Sequence, residues 1–101
     1  MRLTIIPIDG TIGINNYFFS TLDLSNCNIP LNIHALQWYE TNGELEFIDN
    51  IDRTKPNNEI IDSLPEWAHA CVELWNKVKA HEDALIAEDI IDAEIPTTNI
   101  L

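Results

Sequence analysis

Three histidines (His34, His69, His81) and two cysteines (Cys27, Cys71) are the residues of this chain best suited to hold a metal ion or to act as nucleophiles. A structural zinc site draws its ligands from short, regular spacings that set them on one side of a turn. No CxxC occurs here, and the nearest pair, His69 and Cys71, is two residues apart in a helical pattern. Side chains so spaced point about 200° away from each other. His81 lies ten residues beyond Cys71 with no ligand spacing around it, so the pattern predicts no metal site. His34 alternates onto the side of Leu36 and Trp38 and reads as a histidine at the core or edge of a strand. Asp49, Asp52, Asn57, Asn58, Glu59 and Asp62 gather oxygen donors. A calcium loop needs acids at alternating positions around a central Gly, which this segment lacks, so a solvated linker is expected.

Acid–base catalysis by two carboxylates needs one of them in an apolar pocket. Glu44 and Glu46 alternate on one strand face and both read as exposed. The chain has no Gly-rich phosphate loop, no Ser–His–Asp arrangement and no G-x-S-x-G elbow. We therefore expect no catalytic residues, no cofactor and no enzyme.

The element that positions everything else is the stretch from Ser63 to Leu85. Trp67, Cys71, Leu74, Val78, His81 and Leu85 are spaced 4, 3, 4, 3, 4 and share one helix face. Pro65 suits the first turn, Ser63 can cap it, and Glu66 places negative charge at the positive end of the helix dipole. Cys71 on that apolar face behaves as a small hydrophobe. A Cys27–Cys71 disulfide stays open, since two cysteines do not make a secreted framework.

Strands precede the helix. Leu3-Thr4-Ile5-Ile6 is a β-branched run ended by Pro7. Thr11 to Ser20 reads as a hairpin about Asn15-Asn16, with Ile14 opposite Tyr17, Ile12 opposite Phe19, and Gly13 and Phe18 on the other side, where Phe18 calls for a cover. Leu22, Leu24, Cys27, Ile29 and Leu31 are expected to pin the turn-rich segment after it to the core. Ile33 to Tyr39 and Glu44 to Ile48 form a second hairpin about Asn42-Gly43, with Trp38 opposite Phe47 and Leu36 and Leu45 on the same face. Asp49 to Asp62 is a polar connection from which Ile60-Ile61 tucks back. The expected fold is α+β: a small antiparallel sheet of about four or five strands packed by one long C-terminal helix. Residues 1–81 make that domain, with strands over about 2–49 and the helix from about 65. Residues 82–101 form an acidic C-terminal extension, in which Pro96 is expected to end any helix.

Charge bounds the partners. Seventeen acids against five Lys and Arg give a net charge of -12, which repels phosphates and argues against direct nucleic acid binding. No stretch approaches the roughly 20 apolar residues that cross a bilayer, so no membrane partner is expected. The N-terminal apolar run is too short for a signal peptide and meets Asp9 at once, so reducing cytoplasm is the expected site of synthesis. From Glu82 onward there are six acids and no Lys or Arg, yet Ile90, Ile91, Ile95, Ile100 and Leu101 are large and apolar. The surplus of apolar residues beyond the core helix makes Trp75, Val78, His81, Leu85, Ile86, Ile90, Ile91 and Ile95 the candidate partner-binding residues. The late heptad positions also allow a homo-oligomer through the helix.

Arg2-Leu3-Thr4-Ile5-Ile6-Pro7-Ile8-Asp9-Gly10, Ile33-His34-Ala35-Leu36-Gln37-Trp38-Tyr39, Gly43-Glu44-Leu45-Glu46-Phe47 and Leu64-Pro65-Glu66-Trp67 together resemble a group of small proteins of tailed bacteriophages and prophages. Those proteins are encoded around tail and tail-fibre genes. The resemblance spans about residues 1 to 80, and the acidic extension has no counterpart in it. It implies a tail-fibre assembly chaperone, or a small tail or baseplate adaptor, acting on a tail-fibre or baseplate polypeptide in the host cytoplasm or in the virion. It implies no active-site residue. The alternative reading uses the charge itself: an acidic phage inhibitor that blocks a basic nucleic-acid site of a host defence protein.

Overall fold

The computed structural model describes the backbone over residues 1–48 and 58–99, with side chains in the helix as far as Ile86. One antiparallel sheet of six strands packs against one helix, so the fold is α+β. The strands are β1 (Arg2–Ile6), β2 (Thr11–Ile14), β3 (Tyr17–Phe19), β4 (Ile33–Tyr39), β5 (Gly43–Phe47) and β6 (Asn58–Ile61). They lie in the order β3-β2-β1-β4-β5-β6. The sheet is larger than the sequence predicts because Asn58–Ile61, expected to be linker, adds a sixth strand along β5. Four residues of mixed polarity carry too little alternation to announce a strand, and the exposed edge of a sheet accepts them. Asp49, Asp52 and Asn57 lie outside the described residues.

The first hairpin has the predicted register: Ile12 faces Phe19, Gly13 faces Phe18 and Ile14 faces Tyr17. Asn15 and Asn16 take φ of 50° and 70°, the two left-handed residues that a type I′ turn requires. Among the described residues no element covers Phe18. Its ring lies across Gly13, so close that a Cβ there would stand 2.3 Å from it, and it stays 52% exposed.

The second hairpin differs from its prediction. The chain reverses at Glu40-Thr41, with Glu40 at φ 73° and the Tyr39 N–H donating to the Asn42 carbonyl at 2.7 Å. Trp38 therefore faces Gly43 and Phe47 faces Ile33, while Leu36 and Leu45, expected only to share a face, stand directly opposite each other. The Asn-Gly signal lost to packing: a Cβ at Gly43 would lie 2.9 Å from the Trp38 indole and 2.4 Å from the Gln37 carbonyl oxygen. The register also slips between Ile33 and Ala35. That bulge turns Ile33 to the core side with Leu36 and Trp38 and leaves His34 exposed, which corrects the placement of His34 on the apolar face.

Leu3, Ile5, Ile12 and Leu36 are fully buried at the centre of the sheet, each contributing about 1.5–3 kcal/mol of burial. The opposite face is closed by side-chain pairs instead. Thr4 Oγ1 donates to Gln37 Oε1 at 2.8 Å, and the Thr11 and Ser20 hydroxyls lie 2.9 Å apart. Between β3 and β4 a 3-10 turn, Ser25–Cys27, sinks Cys27 into the core. Leu22, Leu24 and Ile29 pack against it, but Leu31 is 97% exposed rather than pinned. Ile61 packs inward, while Ile60 on the outer face is 76% exposed.

The helix, α1, runs over Glu66–Asn99. Pro65 stands one residue ahead of it, its carbonyl accepting from the Ala68 N–H at 3.0 Å. Its most deeply buried residues are Ala68 and Cys71, both at 0% exposure. Trp67 and Leu74, expected on the central row, flank them. Two small side chains let the helix approach the sheet closely, and the larger ones fill the gaps on either side. The helix passes through Pro96 rather than ending there; proline removes one donor and kinks a helix without having to stop it. At 1.5 Å per residue such a helix is about 50 Å long, and the molecule measures 72 × 24 × 21 Å.

Candidate functional site

The helix leaves the sheet at a cluster built on the edge strand β3. Trp75 donates its indole N–H to the Tyr17 carbonyl at 3.0 Å. Its ring meets Tyr17 edge-on at 6.1 Å and Phe19 at 5.8 Å between centroids. One helix turn later the Lys79 ammonium sits 4.8 Å from the Tyr17 ring centre and pairs with Asp83. The Tyr17 hydroxyl donates to the Glu82 carboxylate. That hydrogen bond, and then partial desolvation, raise the Tyr17 phenol above its usual range, with Lys79 opposing. The Asp83 carboxylate likewise raises the Lys79 ammonium. Tyr17 and Glu82 are 65 residues apart in the chain, and the sequence carries no signal of their meeting.

This cluster divides the predicted contact residues. Trp75 is half-buried in the clasp, and its polar atom is used within the chain. Val78 is half-buried and His81 is exposed. Leu85 and Ile86 are 46% and 50% exposed, although both are large and apolar. The side chains of Ile90, Ile91 and Ile95 lie outside the described residues. The structure thus brings together Leu85 and Ile86 on the helix past the last contact with β3 among the described residues, beside the acids Glu82 and Asp83.

A second apolar surface, unforeseen in the sequence, lies at an end of the sheet. Ile8, Leu31 and Ile48 are 79%, 97% and 57% exposed and line a shallow cleft with Pro7 and Pro30. Two further clefts flank the buried Cys27. One of about 390 Å³ is lined by Cys27, Asn28, Glu66, Trp67 and Ala70. The other, about 220 Å³, adds Asp23, Glu73 and Lys77. Asp23 accepts from the Ser25 N–H at 3.0 Å, and Ser25 holds its carboxyl below the usual range.

Cys27 and Cys71 are both free and buried. Burial first, and then the neighbouring Cys27 thiol, push the Cys71 thiol far above the ordinary cysteine range. Among the described residues no three His, Cys, Asp or Glu converge as metal ligands, and no helix is long and apolar enough to cross a membrane. No protein-family model, no curated protein and no solved structure matches this chain.

Proposed function

We propose that this chain acts through protein–protein contacts rather than catalysis, with the helix beyond Glu82 as its contact arm. The observation that carries this is the exposure of Leu85 and Ile86 on the helix just past the Tyr17–Glu82 clasp. Adjacent large apolar side chains left about half exposed on a helix offer a surface that a partner can bury. The helix-in-groove mode suits them: an apolar face for burial and flanking acids for orientation. From Glu82 on the arm carries acids and no Lys or Arg, so it favours a basic-rimmed partner over a second copy of itself.

The partner we propose is a tail-fibre or baseplate polypeptide of a bacteriophage, met in the host cytoplasm during assembly or in the finished particle. The resemblance of residues 1 to 80 to phage tail-region proteins supports this choice. Co-purification with a tail-fibre fragment, abolished by deleting residues 82–101, is the expected result. Binding that is unchanged by the deletion removes the arm from the account.

The net charge of -12 favours one rival, an acidic inhibitor seated on a basic nucleic-acid site of a host defence protein. Charge-driven binding weakens steeply with salt, whereas apolar burial changes little. A salt titration against each candidate partner separates the two.

A further inference from the structure

We infer that Cys27 and Cys71 form a thiol–disulfide site, which closes with a low-molecular-weight disulfide such as oxidised glutathione and staples the 3-10 turn to the root of the helix. Cys27 ends the turn Ser25–Cys27, held by its N–H donating to the Leu24 carbonyl at 3.0 Å. Asn28 follows at φ 59° and turns the chain away. The Cys27 side chain points instead into the core, 4% exposed, where Cys71 is fully buried in the same cluster. Ala70, the neighbour of Cys71, lines both clefts beside Cys27. The pair thus bridges two elements that no strand ladder joins.

The two sulfurs differ in access, which orders the reaction. Cys27 borders clefts of about 390 and 220 Å³, and the larger gives a small disulfide its way in. The Cys27 thiolate attacks one sulfur of oxidised glutathione, forming a mixed disulfide and releasing one glutathione thiolate, which takes up the proton Cys27 lost. The Cys71 thiolate then attacks the Cys27 sulfur and releases the second glutathione, which takes the second proton. Two protein thiols are oxidised, one glutathione disulfide is reduced, and atoms and charge balance. Burial, the first cause of the raised Cys71 thiol, persists in the mixed disulfide, so the attack by Cys71 is the slower of the two steps. In a glutathione-reduced cytoplasm the pair stays open; in an oxidising medium it closes.

The test uses the full chain, refolded from urea in a buffer of oxidised and reduced glutathione so that burial cannot block equilibration. The expected product is a monomer lighter by two hydrogens, with no thiol left to label after denaturation. Its Tm should rise by roughly 10 °C, as expected for a staple across a long loop, and dithiothreitol should reverse the rise. Cys27→Ser and Cys71→Ser should each abolish both effects. Exposed to oxidised glutathione while folded, the Cys71→Ser variant should take one adduct on Cys27, whereas Cys27→Ser should leave Cys71 unmodified. Two free thiols after refolding, glutathione on both cysteines, or a covalent dimer would each overturn the assignment.

Discussion

The two ends of the helix carry similar residues and meet different surroundings. Over the root, Ala68 and Cys71 are wholly buried, with Trp67, Leu74 and Trp75 packed around them. Past Glu82, Leu85 and Ile86 stand about half exposed. Hydrophobicity alone does not separate them. The root carries small residues, Ala68 and Cys71, at its deepest points, and among the described residues the arm begins where the side-chain contacts to Tyr17 on β3 end. Stability therefore belongs to the root, and the proposed contact residues lie past it.

The sharpest way to break this contrast is to place the same charge at each end. Ala68→Glu buries an unpaired carboxylate and should cost about 4 kcal/mol or more, enough to unfold much of the population. Leu85→Glu should change stability by less than about 0.5 kcal/mol. Urea unfolding measures both, and equal effects would erase the distinction between root and arm. Trp75→Ala, at the border, should lose about 2–3 kcal/mol, between the two extremes.

The paired glycines offer a second, smaller contrast. Gly43→Ala drives a methyl against the Gln37 carbonyl and the covered Trp38, and should cost about 2–3 kcal/mol. Gly13→Ala drives its methyl first against the Phe18 ring, which is 52% exposed, and should cost about 1 kcal/mol.

The clasp itself should respond to alkali. The Tyr17 phenol and the Lys79 ammonium are both raised in the folded protein. Their stabilisation is therefore fully present below the usual tyrosine and lysine values of 10.0 and 10.5. It is lost as pH rises through the folded values. Tyr17→Phe should lower neutral stability by what the hydrogen bond to Glu82 contributes there and flatten the alkaline fall, leaving only the share that belongs to Lys79. A fall of the same steepness in Tyr17→Phe would show that the clasp does not hold the helix. The smallest effect concerns Leu85 and Ile86 together: replacing both with Glu should leave the Tm within a few degrees of wild type while abolishing partner binding.

Which of these features the sequence could announce depended on how local the cause was. The first hairpin was legible because two consecutive asparagines supply both left-handed residues of its turn. The second was misread because Asn42-Gly43 is the stronger local turn signal, yet Gly43 is needed where the Trp38 indole crosses the neighbouring strand. Packing overrode propensity there. The bulge beside Ile33 was equally silent, and it alone decides that Ile33 rather than His34 faces the core. The helix was plain from its period, but not which of its rows lies deepest: the period selects large residues, whereas the close approach is made at Ala68. The exposed Leu85 and Ile86 stood out in the sequence as apolar residues beyond what the core helix needs. The clasp did not, because Tyr17 and Glu82 meet only once the sheet has placed β3 beside the helix.

The 72 Å length of the molecule also governs how its mass should be weighed. Its radius of gyration, 18.5 Å, equals that of a globular chain of roughly 270 residues. A single copy would therefore leave a sizing column early, in the position of a compact dimer or trimer. Light scattering or sedimentation equilibrium, which are blind to shape, are the measurements that can count the copies.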